Sequence, residues 1–273
     1  MCLLKKIAGM TVSVVIITKD EADTIGRCVA AAKKISDDVI VIDNGSTDGT
    51  TLIALAAGCR VYYEHWDGYG ANKNKGIVLA RHDWVLSLDA DEIPDDMLIA
   101  SIKHLKIANI NTVYDINFRA YYDQKPVRFG SWGRDHHIRL FNRIHTHWTG
   151  ALVHETLNKP AGTVVQKLDG HIHHYSVKSA GQYKAKIVQY ARLNARKYLN
   201  EGKKPTLIKL YIAPVFHFVK GYIFLLGILD GKRGWMVAKL MAEHTWLKYH
   251  FLSQQTGYTN EKHFAKESLS VEY

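Results

Sequence analysis

Apolar runs and helical segments alternate along the first part of the chain. Short runs rich in β-branched residues predict buried strands at Thr11–Thr18, Asp38–Asp43, Arg60–Glu64 and Trp84–Asp89. Helical spacing predicts helices at Thr24–Lys34, Thr50–Ala57, Tyr69–Arg81 and Pro94–Lys106. Strands that alternate with helices are typical of a mostly parallel sheet with helices on both faces. We therefore expect an α/β fold.

The pattern changes after Asn111. An antiparallel extension of the sheet is predicted by strand-like runs without intervening helices at Val113–Tyr122, His137–Phe141 and Thr163–Leu168. From Ser179 to about Gln255 the pattern is helical, with a break at Gly202–Pro205 and another near Asp230. The sequence thus predicts a domain over residues 10–175, a basic and aromatic-rich helical region over residues 176–260, and a tail over residues 261–273.

Composition is that of an ordinary globular protein, with 273 residues, 47% hydrophobic and 23% charged. The three cysteines have no metal-binding spacing, and so sparse a set favours a reducing compartment. The first residues contain no apolar stretch long enough for a signal peptide, and Met10 is an alternative start.

Positive charge is concentrated at the end of the chain. The formal net charge is +10, and residues 176–273 hold 16 Lys and Arg against 6 Asp and Glu, whereas residues 1–175 balance. A basic surface attracts nucleic acid or anionic lipid. The N-terminal and C-terminal parts of the chain are therefore expected to have different partners.

Carboxylates follow two of the predicted strands. Asp89, Asp91 and Glu92 come at the end of one strand, and Asp43 ends another before a polar turn. Two acids at i and i+2 form an oxygen cluster of the kind that Mg²⁺ or Mn²⁺ prefers, although such acids also solvate loops or cap helices. Glu92 is assigned to the following helix. In parallel sheets ligands bind beyond the carboxyl ends of the strands, where Asp43 and Asp89 are expected.

Four motifs occur in order over about the first hundred residues: VVIITKDE at Val14–Glu21, DNGSTDGT at Asp43–Thr50, NKNKGIVLA at Asn72–Ala80 and SLDADE at Ser87–Glu92. In these motifs the chain resembles an inverting family 2 glycosyltransferase of the GT-A fold, a Rossmann-like sheet with flanking helices. Residues 135–142 and 148–157 resemble the branch that includes bacterial lipopolysaccharide core β-glucosyltransferases.

The resemblance implies a nucleotide-sugar site. Thr18, Asp20 and Glu21 would line the pocket of the base and ribose, and Asp43 would contact the uridine. Lys73 would border the nucleotide sugar.

The resemblance also implies a divalent ion, Mg²⁺ or Mn²⁺, within a DXD motif. Asp89 would face the ribose and the sugar, and Asp91 would bind the ion on the diphosphate. His173, or alternatively His171, would complete the metal shell. Independently of the resemblance, Arg139 and Arg143 flank an apolar pair in strand alternation, and both would face an anionic acceptor or solvent.

An inverting transfer needs a general base for the acceptor hydroxyl. Many family members place an Asp of a Glu-Asp pair there, and this chain has no such dipeptide. Glu155, beside His154, is the first candidate, and Asp135 is the second. The alternative for Glu155 is a surface acid at the end of a strand.

The basic region interleaves aromatic and cationic residues. Leu207–Leu229 is strongly apolar, but Lys209, His217 and Lys220 interrupt it, which disfavours a spanning helix. An amphipathic helix in the membrane interface is the preferred interpretation. The alternative is a helical subdomain that packs on the catalytic domain and exposes a basic face.

Together these features predict a metal-dependent glycosyltransferase. It would move a hexose, glucose in the first instance, from a UDP-sugar to a glycan or glycolipid acceptor of the lipopolysaccharide core or another surface glycan. The expected location is the cytoplasmic face of an anionic membrane, to which the protein would bind peripherally.

Two other classes of protein share parts of this pattern. A sugar-phosphate nucleotidyltransferase normally has a glycine-rich loop after its first strand, whereas Lys19–Asp23 is acidic and has no glycine. A nucleic-acid-binding protein would use the basic region, but the neutral first 175 residues do not favour it. No nucleic-acid partner is expected.

Overall fold

A computed structural model describes residues 10–106, 109–150, 156–177 and 180–256. The chain forms two compact units. Among the described residues, the first contains those between 10 and 121 and between 135 and 176, and the second contains those between 122 and 134 and between 177 and 256.

The described residues form a mixed sheet, most of which lies in the first unit. In chain order the strands are β1 Val12–Thr18, β2 Val39–Asp43, β3 Arg60–Tyr63, β4 Trp84–Asp89, β5 Glu92–Pro94, β6 Thr112–Tyr122, β7 Lys125–Pro126, β8 His136–Asn142 and β9 Val164–Val177. Along the sheet the order is β3-β2-β1-β4-β8-β6-β9-β5. The first four of these neighbours are parallel, and β8 joins β4 antiparallel.

Helices cover both faces of the parallel part. They are α1 Ala22–Ile35, α2 Thr50–Ala56, α3 Tyr69–Val78 and α4 Asp96–Lys103. Every residue of β1 is buried because the strand lies at the centre of the sheet. Alternate residues of β1 point to opposite faces of the sheet. Val14 and Ile16 belong to the hydrophobic cluster that includes residues of α1, and Val15 belongs to the cluster that includes Ile77 of α3.

A glycine allows α3 to lie close to the sheet. A Cβ atom on Gly76 would lie 2.3 Å from Cγ1 of Val15, which is closer than real side chains approach. The helix can therefore pack directly on β1 and β2 only with glycine at this position. Lys73, one turn earlier in the helix, is held at the carboxyl ends of these strands as a result.

The pairing of β8 with β6 contains a β-bulge. Tyr114 pairs with Leu140, and the next residue, Asp115, pairs with Ile138, so the register steps over Arg139. A bulge changes the direction of its side chain relative to a regular strand. The sequence pattern predicted both strands but not this irregularity.

Two predicted boundaries were wrong. Residues 92–94 form β5, which pairs with β9, so Glu92 belongs to a strand and not to the following helix. The helix begins at Asp96, because Asp95 caps it by accepting a hydrogen bond from the Leu98 amide at 2.7 Å. β9 continues past Leu168 as far as Val177 and carries the run of histidines.

The second unit is mainly helical, and it also contains the short strand β7. Its helical elements are α5 Ala180–Asn200, a π-helical segment Ile208–Ile212, α6 Ala213–Val219, a second π-helical segment Lys220–Phe224, a short 3₁₀ helix Gly227–Asp230 and α7 Lys232–Gln255. The Arg192 guanidinium of α5 lies 5.1 Å from the ring centre of Phe251 in α7. Within the described part of the chain, no helix combines the length and the apolarity needed to cross a bilayer.

Candidate functional site

Three polar residues lie side by side at the carboxyl ends of the parallel strands. Thr18 of β1 pairs with Asp43 of β2, and Ile17 pairs with Asp89 of β4. The hydroxyl oxygen of Thr18 is buried and has no hydrogen-bond partner among the described residues. An unsatisfied buried oxygen is costly, so this edge of the sheet is suited to receive a hydrogen-bonding ligand.

The Asp43 carboxylate shapes the turn that follows it. It accepts hydrogen bonds from the amides of Gly45 and Ser46, at 3.1 and 3.0 Å, and from the Ser46 hydroxyl. The next residue, Asn44, donates from its side chain to Asn72 of α3 at 3.0 Å. The turn is therefore rigidly connected to the helix that carries Lys73.

Asp20 and Glu21 lie in the loop after β1 and connect it to the same turn. Asp20 has a positive φ of 52° and accepts a hydrogen bond from the Thr47 amide at 2.7 Å. Glu21 donates from its amide to the Thr50 hydroxyl, and its carboxylate accepts from Thr24. The structure thus places both beside the Asp43 turn, where their interactions organise the loop.

A buried lysine faces the end of β4. The Lys73 side chain is 0% exposed, and its Nζ lies 3.0 Å from Oδ1 of Asp89. The same Nζ lies 4.7 Å from the ring centre of Trp148. A fully buried ammonium is stable only when it is paired, and this arrangement supplies both a carboxylate and an aromatic face.

The bulged Arg139 forms the other side of this charge cluster. Its guanidinium forms an ion pair with Glu92 and lies 3.8 Å from Oδ2 of Asp89. Oε2 of Glu92 in turn accepts a hydrogen bond from the Asp89 amide at 3.1 Å. Arg139 is buried, so the alternative in which it faces solvent was wrong, and the alternative in which it faces an acceptor stays a prediction.

The two carboxyl groups of this cluster respond differently to burial. Burial raises the pKa of Glu92 above its ordinary value despite the nearby Arg139. Burial also acts to raise the pKa of Asp89, but the positive charges of Lys73 and Arg139 outweigh it and lower that pKa. Asp89 is therefore held as an anion, with its charge fixed by two cations.

Asp91 lies beside His174. The distance from Nε2 of His174 to Oδ2 of Asp91 is 3.5 Å. Neighbouring residues of a strand point to opposite faces, so His173 points elsewhere and its Nδ1 lies 3.0 Å from the Tyr121 hydroxyl. Burial lowers the pKa of His173. His174, which the sequence did not single out, is thus the histidine next to Asp91.

The donor set at Asp91 suits a hard divalent ion that also binds a diphosphate. Among the described residues, no group of three or more Asp, Glu, His or Cys side chains could hold a metal. Asp91 and His174 nevertheless offer one carboxylate and one imidazole. Mg²⁺ is usually held by one or two carboxylates together with waters and substrate phosphates, so the Asp91 carboxylate fits such an ion, whereas an imidazole is a ligand of softer divalent ions.

The structure describes only one of the two candidates for the general base. Asp135 precedes β8, and its Oδ1 lies 3.0 Å from Nε2 of the half-exposed His137. Burial tends to raise the pKa of Asp135, but the hydrogen bond and charge of His137 lower it overall. Glu155 lies outside the described residues.

A cavity of about 310 Å³ lies beside this cluster. Its walls include His136, His137, Arg139, Trp148 and Leu157. His136 contacts the buried Asp115 there, with 2.8 Å between Nδ1 and Oδ2. The cavity therefore combines an aromatic wall with polar and charged groups, which is typical of ligand sites.

Comparison with known proteins gives three main matches. Residues 13–162 match the model of Glycosyl transferase family 2. An uncharacterized glycosyltransferase of Rickettsia prowazekii is 30% identical over 223 residues, which is 77% of this chain and 76% of that protein. The lipopolysaccharide core biosynthesis glycosyltransferase LpsC of Rhizobium meliloti is 27% identical over 79% of this chain and 82% of its own length.

Among solved structures, the chain is similar to glucosyl-3-phosphoglycerate synthase from Mycobacterium tuberculosis in complex with Mn²⁺, UDP and glucosyl-3-phosphoglycerate. The identity is 25%, the TM-score is 0.33, and the match covers 42% of this chain and 45% of that one. The family assignment rests on the sequence matches.

Proposed function

The chain belongs to glycosyl transferase family 2 and is a glycosyltransferase, and from this premise we propose a specific reaction for it. It transfers a hexose, glucose in the first instance, from a UDP-sugar to a glycan or glycolipid acceptor. The observation that carries the proposal is the alignment of Thr18, Asp43 and Asp89 at the strand ends, with the Thr18 hydroxyl left to bond a ligand.

The nucleoside end of the donor is assigned to the first two strands. Thr18, Asp20, Glu21 and Asp43 surround the place where the loop after β1 meets the Asp43 turn. We assign the base and ribose to this place, because hydroxyl and carboxylate oxygens accept hydrogen bonds from the NH and OH groups of uridine.

The sugar and diphosphate end is assigned to the ends of α3 and β4. Lys73 and Asp89 would border the sugar, and Asp91, with His174 beside it, would hold Mg²⁺ or Mn²⁺. Such an ion supplies positive charge that stabilises the diphosphate leaving group. The anionic Asp89, fixed by Lys73 and Arg139, is oriented in advance to accept hydrogen bonds from the donor's hydroxyl groups.

Inversion requires that a base take the proton of the acceptor hydroxyl. Glu155 is our first candidate for this base, and Asp135 is the second. Support for Asp135 is that it is ionised at neutral pH, since its pKa is lowered, and that His137 holds its orientation. Turnover of Glu155→Gln and Asp135→Asn distinguishes the two, because only loss of the base abolishes transfer while donor binding persists.

The acceptor is assigned to the lipopolysaccharide core or another surface glycan, on the cytoplasmic face of the cell membrane. Support comes from the name of the LpsC relative. The cavity next to Trp148 offers an aromatic wall on which a sugar ring can stack.

A thermal-shift panel of nucleotide sugars, with and without Mn²⁺, tests the proposal. We expect the melting temperature to rise with UDP-glucose and Mn²⁺ together, and to rise less with GDP- or ADP-sugars. Stabilisation by none of the UDP-sugars would contradict the donor assignment. Equal stabilisation with and without Mn²⁺ would contradict the role of the ion.

A further inference from the structure

Residues 207–229 of the second unit expose many large apolar side chains. Eleven such residues in this stretch are exposed, among them Phe224 at 70%. Ile208, Ile212 and Phe216 are spaced by four residues, and Tyr211 and Val215 lie between them. Residues three and four apart are neighbours on a helix, so these side chains form a continuous exposed stripe.

The opposite side of the same segment is buried. Leu210, Pro214 and Gly221 are buried within the unit, and Phe218 packs edge-to-face on Trp235 of α7 at 4.8 Å. A surface helix in water normally has one apolar stripe, which faces the core. This segment has a second apolar stripe, and exposed patches of this kind mark interaction sites.

Within the segment that carries the stripe, the charged residues have one sign, and the exposed Glu201 that precedes it is paired with Lys203. Residues 202–229 contain no Asp or Glu, but they contain four lysines. Lys204 and Lys220 are exposed before and after the stripe, and Lys209 is half-buried within the segment. The surface is therefore complementary to a partner that is apolar inside and anionic at its boundary.

We propose that residues 207–229 lie in the interface of an anionic lipid membrane, with the apolar stripe among the acyl chains and the lysines at the level of the phosphates. Amphipathic helices of this composition bind in the plane of the interface. A second copy of the chain suits the surface less well, because a two-fold contact would bring the lysines of this acid-free segment close to one another.

This proposal names the segment that would bind the membrane. It rests on the proposed function, which locates the protein at the cytoplasmic face of the cell membrane. Membrane binding is measured without a sugar nucleotide, and donor binding is measured without lipid. Failure of one is therefore distinguishable from failure of the other.

The test is sedimentation of the full chain with phosphatidylcholine vesicles, with and without phosphatidylglycerol, at low and high salt. We expect the protein to pellet with the anionic vesicles and to be released as salt rises, since salt screens the lysine contribution. Absence from the vesicle pellet at low salt would overturn the proposal.

Two pairs of variants locate the contact. Phe216→Ser with Phe224→Ser should weaken vesicle binding about tenfold or more, and Lys204→Glu with Lys220→Glu should abolish the preference for anionic lipid. The matched controls are Leu52→Ser with Met97→Ser and Lys103→Glu with Lys106→Glu, which are exposed residues of the first unit. Equal losses in the controls would overturn the assignment of the surface.

Light scattering in the absence of vesicles tests whether a second copy of the chain covers the apolar stripe. We expect the wild-type chain and the Phe216→Ser, Phe224→Ser variant to have the same mass. A wild-type dimer that this variant dissociates would show that a second copy covers the stripe, and it would overturn the membrane proposal. Circular dichroism of each variant verifies that the helices persist.

Discussion

Lys73 Nζ lies 3.0 Å from Oδ1 of Asp89, with the lysine side chain fully buried. The pair joins the α3 helix to the end of the β4 strand. It therefore connects the packing of the sheet to the electrostatics of the proposed donor site.

Replacement of Lys73 by Met should lower the free energy of unfolding by about 3 kcal/mol, because removal of one partner leaves a partly buried carboxylate with less compensation. Urea denaturation measures this loss. Lys103→Met, at an exposed position of α4, is the control and should change stability little. Similar losses in both variants would mean that the buried pair has no special role.

Arg139 and Glu92 should behave as a coupled pair. Arg139→Met removes the cation from a buried carboxylate, so the pKa of Glu92 should rise further and stability at pH 7 should fall by about 3 kcal/mol. Adding Glu92→Gln should restore part of this loss, because the uncompensated charge is then absent. A double-mutant cycle by chemical denaturation measures the coupling. Strictly additive effects would contradict the contact.

His174 and His173 provide a matched test of the metal site. Asp91→Asn and His174→Gln should each weaken Mn²⁺-dependent UDP binding, by about tenfold or more. His173→Gln should leave it nearly unchanged, because this ring contacts Tyr121 instead. Isothermal titration calorimetry of UDP, with and without Mn²⁺, measures the effect. A larger loss for His173→Gln than for His174→Gln would return the assignment to His173.

Asp38 should make folding sensitive to acid. Burial acts to raise its pKa, but hydrogen bonds from Ser13 and Arg81 and the charge of Arg60 lower it below the ordinary value of 3.8. A carboxyl whose pKa is lower in the folded state stabilises the protein above its unfolded pKa, and this contribution is lost as pH falls through the folded pKa.

Asp38→Asn should accordingly cost about 2 kcal/mol at pH 7, and the difference from wild type should shrink as pH falls below 3.8. Denaturation at a series of pH values measures it. Asp37→Asn is the control, since the Asp37 side chain is 91% exposed. A difference that did not change with pH would show that the charge of Asp38 is unimportant.

Gly76→Ala should disturb both packing and the site. The added methyl would lie 2.3 Å from Val15 Cγ1, so α3 must shift, at a cost of about 1–3 kcal/mol. Gly26→Ala in α1 is the control, because its Cβ would meet Ile53 at an ordinary 3.5 Å. Thermal unfolding compares the two. If both variants melted alike, the close approach of α3 would not limit stability.

Local pattern was sufficient to predict the parallel half of the sheet. Buried β-branched runs marked its strands, and the rule that ligands bind at strand carboxyl ends brought Asp43 and Asp89 together. Pairing between distant strands was not predictable, because the register depends on tertiary contacts. For that reason the sequence pattern did not distinguish His174 from His173 as the neighbour of Asp91, and it did not predict the pairing of Glu92 with Arg139.

The bulge in β8 makes the length of that strand as important as its composition. Deletion of a single residue there would remove the extra position that directs Arg139 toward Glu92, because β8 could then pair with β6 in a regular register. Even a deletion that left the amino-acid types nearly unchanged would separate the guanidinium from Asp89. Insertions and deletions in residues 136–142 should therefore be tolerated less well than conservative substitutions at the same positions.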